Sequence, residues 1–231
     1  MGETNIEAAR TITMNLFDAF PFEEDKEVEG FGVCSHPFTT SLFVPDRSNH
    51  RILDLRSKEN VDGYRAWIDE IVERSNIVKL SMLIQKAYKM TWFRFVSPYL
   101  SDEDYGTMLK ECWIMEDNPN QDKNVPIKMA IELFRRAKKD CIMDKEEQKY
   151  YDNLPETLTL YRGVSEGRER LGLSWTDNYD VAVWYQKRFK EWGRDGVVLK
   201  AEVKKENVLA YFEHDNELLV DVTQVRSIEE I

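Results

Sequence analysis

The chain has 231 residues, 42% of them hydrophobic and 12% aromatic, enough apolar material for one large domain or two small ones around a substantial core. A net charge of −11 and a pI near 4.9 give no global attraction to a nucleic-acid backbone, although a local basic patch is compatible with them. Three cysteines, Cys34, Cys112 and Cys141, are odd in number and far apart, which points to free thiols in a reducing cytoplasm rather than a disulfide scaffold.

The opening stretch, MGETNIEAARTITMNLFDAF, lacks a basic start followed by an apolar run, so no secretory signal is expected, and no apolar run approaches a membrane span. Gly2 follows Met1, but Ile6 stands where myristoylation prefers Ser or Thr. Residues 1–60 are acidic at first (PFEEDKEVEG) and then turn-rich and β-like (GFGVCSHPFTTSLFVPDRSNHRILDL), which predicts a hairpin or an arm on the main body. Cys34 and His36 form the one close pair of metal-type ligands; without a second pair at ligand spacing, no metal site is expected.

From 61 to about 100 the pattern is helical, with Tyr64, Trp67, Ile68, Ile71, Val72, Arg74 and Val78 on neighbouring turns and Pro98 marking the end. Ser101 is placed to cap the next helix, with Asp104 in capping-box position. EDNPNQDKNVP reads as a loop. Pro126 suits a first helical residue, ahead of an apolar stripe of Ile127, Ala130, Ile131, Phe134 and Ala137. Asp144 and Glu147 make a further capping pair.

After Leu154-Pro155 the chain becomes β-rich. In LPETLTLYRGV, Leu158, Leu160, Arg162 and Val164 share one strand face and Thr157, Thr159 and Tyr161 the other. If the first face is buried, a guanidinium sits at the edge of a core, and it needs an anion or several acceptors to offset its desolvation. VVLKAEV, NVLAYF and ELLVDV are further strands. Between the first two predicted strands lies one helix, DNYDVAVWYQKRFKEW, which Asp177 is placed to cap. Helices thus precede strands, an α+β arrangement. No flexible linker separates 149 from 158, so the helices of 61–150 are expected to pack as a lobe beside the β-rich part.

Three polar features punctuate the β-rich part: Arg162 at a strand end, Ser174 and Thr176 two apart in GLSWTDN, and Glu217 heading an apolar strand in EHDNELLVD. Singly, each has a bland account: a structural ion pair, a helix cap, a solvated glutamate. In this order, LYRG, then GLSWT followed by a helix with AVWYQKRF, then an acidic loop and ELLVD resemble ADP-ribosyltransferases of the arginine–serine–glutamate class, which include bacterial toxins and phage-encoded enzymes. CWIMEDNPNQD and LPETLTLYRGV extend the resemblance upstream, so that it covers roughly residues 60–225.

The resemblance implies an N-terminal helical lobe packed on a C-terminal split β-sandwich of ADP-ribosyltransferase type. The expected divisions are an arm or hairpin at 1–60, the helical lobe at 61–150 and an NAD-binding catalytic part at 151–231. NAD, the co-substrate, is then clamped between two small sheets, outside a Rossmann fold, consistent with the lack of a G-x-G-x-x-G loop. By this likeness Arg162 contacts the dinucleotide phosphates, and Ser174 supports the catalytic glutamate or the nicotinamide ribose. Glu217 is the catalytic carboxylate, with Gly163, Trp175, Thr176 and Trp184 lining the NAD site. Trp175 or an aromatic of VWYQKRF stacks on nicotinamide. Asp215, two before Glu217, stands where the acceptor is selected; family members that modify arginine carry glutamate there, so the acceptor stays open.

The implied function is mono-ADP-ribosylation of an intracellular macromolecule by a toxin or a phage or bacterial effector in the host cytoplasm. A protein acceptor is favoured over nucleic acid on charge, and a toxin implies a neutralising partner. No membrane or metal is expected. The alternatives are a catalytically silent binding module of the same fold, and an NAD glycohydrolase.

Overall fold

The computed structural model describes residues 2–46, 49–193 and 196–231. They are mixed helix and sheet, 50% helical and 21% strand, an α+β arrangement with small sheets. The chain divides into two compact units, Met1–Asp104 with Lys110–Pro119, and Tyr105–Leu109 with Asn120–Ile231.

The first unit begins with a helix, α1 (Ile6–Asp18), that the reading of residues 1–60 as a hairpin or arm does not contain. Asn5 caps it by accepting the Ala8 N–H, and Ala9, Thr13, Met14, Leu16 and Phe17 form its buried face. Two antiparallel hairpins follow: β1 (Val33–His36) with β2 (Thr39–Ser41), and β3 (Phe43–Asp46) with β4 (Arg51–Asp54). The helical pattern of 61–100 divides into α2 (Lys58–Glu73), α3 (Ile77–Leu83) and α4 (Lys89–Val96). The first break has a local cause: the Ser75 hydroxyl donates to the Ile71 carbonyl at 2.8 Å, and the Asn76 side chain accepts the Lys79 N–H at 3.0 Å. Such side-chain bonds end one helix and start the next. Ser101 caps α5 (Asp102–Met115) as expected, accepting the Asp104 N–H at 3.1 Å. The return half of the box passes through Thr4, whose Oγ1 accepts the Ser101 N–H at 2.8 Å and whose hydroxyl donates to the Asp104 carboxylate.

The second unit takes the middle of α5, then α6 (Ile127–Arg136), α7 (Lys139–Ile142) and α8 (Lys145–Asp152), so that these last helices group with the strands. The capping box of α8 is complete: Asp144 accepts the Glu147 N–H at 3.0 Å and Glu147 accepts the Asp144 N–H at 2.9 Å. The strands are β5 (Thr157–Val164), β6 (Ser174–Trp175), β7 (Val197–Lys204), β8 (Val208–Phe212), β9 (Glu217–Val220) and β10 (Ile228–Glu230). They form two antiparallel sheets, ordered β10-β7-β5 and β6-β9-β8. Leu158, Leu160, Arg162 and Val164 all lie on the buried face of β5, as the alternation predicts.

The sheets meet edge to edge at one antiparallel bridge, where Tyr161 and Thr176 exchange N–H···O bonds of 2.7 and 2.8 Å. The ladder stops there because Thr176 Oγ1 accepts the Asn178 N–H at 3.2 Å and the chain turns into α9 (Tyr179–Lys187). Asn178, not Asp177, caps this helix, accepting the Asp180 and Val181 N–H groups; Asp177 is engaged elsewhere, with Tyr150 and Asn216. The helix rests on β5 at Gly163, where a Cβ would fall 1.9 Å from the Ala182 carbonyl oxygen.

Candidate functional site

Arg162 is 8% exposed, and its guanidinium meets three backbone carbonyls. Nε donates to Arg170 at 3.2 Å, Nη1 to Ser174 at 2.8 Å and Nη2 to Glu169 at 2.8 Å. The acceptors that the sequence demanded are therefore supplied largely by the chain itself. Burial pushes the Arg162 pKa down to about 10, and the charges of Glu217 and Glu169 act against that shift. Gly172 leaves room for the group, since a Cβ there would lie 2.5 Å from Nη2. Of the five guanidinium N–H groups, three point at carbonyls and two remain for other acceptors.

Ser174 lies on β6, paired with Leu219 of β9 and half-buried. Its hydroxyl accepts from Asn120 Nδ2 at 3.1 Å, while Asn120 Oδ1 accepts the Leu173 N–H at 2.6 Å. One loop amide thus fixes both the strand and the hydroxyl it presents. In the sequence Asn120 is one polar residue among many in an irregular stretch, and only its Asn-Pro-Asn setting marks it.

Glu217 heads β9 opposite Phe212 and is half-buried, its charge acting on Arg162 and on Tyr185. Its position is set by Asn216, which adopts a left-handed conformation with φ of 47°. Asparagine tolerates that region better than most residues. Asn216 Nδ2 donates to Thr176 Oγ1 at 3.2 Å, and its Oδ1 accepts from the Tyr211 hydroxyl at 3.1 Å. A second anchor is Glu147, 2% exposed, whose Oε1 accepts the Glu213 N–H at 3.1 Å. Nothing in the sequence beyond its capping role marks Glu147 for this task.

The structure therefore brings Arg162, Ser174 and Glu217 into one neighbourhood on three strands, with Thr176 buried as a joint between them. The aromatic candidates separate. Trp175 is 2% exposed and donates its indole N–H to the Gly172 carbonyl at 3.0 Å, which turns it into the core. Trp184 is exposed and packs edge-on against Tyr185, with ring centroids 4.9 Å apart. Tyr185 is the aromatic that senses the carboxylates: burial first, then the charges of Asp215 and Glu217, push its pKa up to about 12. Asp215 itself is exposed, one residue before Asn216. Gly163 serves the seating of α9.

Among the described residues no cluster of three or more His, Cys, Asp or Glu side chains could hold a metal ion, and no helix is long and apolar enough to cross a membrane. Chemically, the site offers a carboxylate within electrostatic reach of a phenol and of a buried cation, with the Ser174 hydroxyl on the strand paired to that of the carboxylate. Such a set can hold a sugar hydroxyl and stabilise positive charge developing near Glu217. No protein-family model matches the chain, and no curated protein or solved structure matches it significantly.

Proposed function

We propose that this chain is an NAD-dependent mono-ADP-ribosyltransferase, with its two small sheets forming the split sandwich of that class. The observation that carries the reading is the convergence of Arg162, Ser174 and Glu217 on adjacent strands. The guanidinium is bonded to the Ser174 carbonyl and lies within electrostatic reach of Glu217. Breaking the nicotinamide–ribose bond sends the bonding electrons to the pyridinium nitrogen, so nicotinamide leaves neutral and no general acid is needed. Positive charge builds on the ribose as in other glycosidic cleavage. Glu217 holds the ribose 2′-hydroxyl and stabilises that charge, Ser174 supports it, and the acceptor attacks C1′ and gives up its proton.

Arg162 shifts in role relative to the sequence expectation, and the aromatic left open there is narrowed to one. Arg162 chiefly organises the Glu169–Ser174 backbone, its two remaining N–H groups being those available to a phosphate. Tyr185 takes the aromatic role in place of the buried Trp175. The acceptor is a protein rather than nucleic acid, in keeping with the charge of −11, and the setting is a bacterial cytoplasm in which the chain acts as a toxin or phage effector. A neutralising partner belongs to that setting. One observation favours a second reading, a silent module of the same fold: the guanidinium is already provided with carbonyl acceptors.

The test is incubation with NAD labelled on the adenine ring and a bacterial lysate, followed by protease or nuclease digestion. The proposal expects label that protease releases and nuclease does not. Label held by nucleic acid would overturn the protein acceptor, and absence of label with steady nicotinamide release would identify a glycohydrolase.

A further inference from the structure

Beside the bridge between the two sheets, the edge of β5 is left open. Its even-numbered residues turn their backbone groups toward β7, because Tyr161 gives both of its own to Thr176 and strand backbone direction alternates. Thr157 and Thr159 therefore direct their N–H and C=O groups the same way as Tyr161. Beyond the bridge the chain has already turned into α9, so no strand among the described residues pairs with them there.

That edge borders a cleft of about 620 Å³, lined by Thr157, Leu158 and Thr159 on one side and by residues of α8 and the β8–β9 loop on the other. Tyr150 and Tyr211 stack in its wall, with centroids 3.9 Å apart and planes at 20°. The Tyr150 hydroxyl donates to Asp177, which holds the pair in place. The lining carries three carboxylates, Glu146, Asp177 and Glu213, against one ammonium, Lys149. Lys149 lies 3.7 Å from Glu146, and the groups bonded to Asp177, the Tyr150 hydroxyl and the Asn216 amide, are neutral.

We propose that this cleft is a docking groove for an extended, basic peptide segment of a protein partner, which adds as a strand to the Thr157–Thr159 edge. The unpaired backbone groups supply the hydrogen bonds of strand addition, and side-chain pockets supply the selectivity. An arginine on the incoming strand lies over the tyrosine pair and faces Asp177 and Glu213, a setting that favours a guanidinium over any anionic group. Nucleic acid is disfavoured by the same carboxylates. The inference stands on the edge and the cleft, whatever the Glu217 site does.

The probe is a pool of fluorescent peptides of about eight residues, alternating arginine with threonine or valine, the usual length for strand addition being of that order. Anisotropy is read for the pool, for the same pool N-methylated at alternate backbone amides, and for a pool with glutamate in place of arginine. Binding by the first pool, with a loss of about tenfold or more in each of the others, is expected. Thr159→Pro removes the outward N–H, which proline at a strand edge tolerates, together with the Thr159 hydroxyl's bond to Glu202, and should cost the same loss; Thr159→Val, which removes only that side-chain bond, should cost none. Glu213→Lys, an exposed change that does not touch the edge, should weaken binding and lessen its salt dependence. Equal binding by the N-methylated pool, or no binding by the first pool, overturns the proposal. So does dimerisation of the chain that Thr159→Pro abolishes, since the occupant would then be a second copy.

Discussion

Arg162 is the residue at which sequence and structure diverge most usefully. Alternation in LPETLTLYRGV places it on the buried face, and it is there. What the sequence cannot supply is the loop that returns over it, because the carbonyls of Glu169, Arg170 and Ser174 are backbone groups with no residue signature. Arg162→Ala should therefore destabilise the fold as well as weaken any phosphate contact. Three part-buried backbone carbonyls lose their donor, each bond worth about 1 kcal/mol net, so a loss of about 3 kcal/mol in urea unfolding is expected. Unfolding at the wild-type midpoint would mean that water replaces the guanidinium without cost.

His36 gives a second test at this scale. Its Nδ1 accepts the Phe38 N–H at 3.2 Å, so the neutral ring carries its proton on Nε2, 3.1 Å from the Phe17 carbonyl. Burial pushes its pKa down to about 4, the Phe17 carbonyl acting against the shift. The unfolded chain takes up this proton near pH 6.5 and the folded chain only near 4, so stability falls as pH drops through that window. The loss should reach up to about 3 kcal/mol. His36→Gln should flatten the dependence between those limits; an unchanged slope would assign it to carboxylates instead.

Among the elements, those with local signatures were legible. Asp144 with Glu147 and Ser101 with the Asp104 N–H are short-range caps, and the structure contains both. The β5, β7, β8 and β9 strands follow period-two or uniformly apolar runs. Two misreadings share a cause. Helix α1 begins at an asparagine cap inside a stretch read as a hairpin or an arm, and the long helical pattern of 61–100 hides the Ser75-Asn76 interruption. In both, side chain to backbone bonds at one or two residues set the helix boundary. The seating of α9 on β5 yields a prediction here. Gly163→Ala puts a methyl 1.9 Å from the Ala182 oxygen, which forces the helix off the strand. A loss of about 1–3 kcal/mol or more is expected, with the thermal midpoint as readout. A neutral result would show that α9 yields freely.

For the whole molecule, the α+β class was visible as helices followed by strands, and the sheets bear it out. The grouping of the chain was not, since α6 to α8 belong with the strands and the middle of α5 joins them. Contacts of that kind depend on residues far apart in sequence, as does the placing of Ser174 by Asn120. The assembled site is where the account is most exposed. Glu217→Gln keeps the size of the side chain and one accepting oxygen but removes the charge assigned to stabilise the ribose cation. Nicotinamide release from NAD should be measured for the wild type and this variant, alongside thermal melts with and without NAD. Release by the wild type, a fall of about 10²- to 10³-fold in the variant, and NAD-dependent stabilisation of both are expected. Undiminished release by a folded Glu217→Gln chain, or none by the wild type, would contradict it.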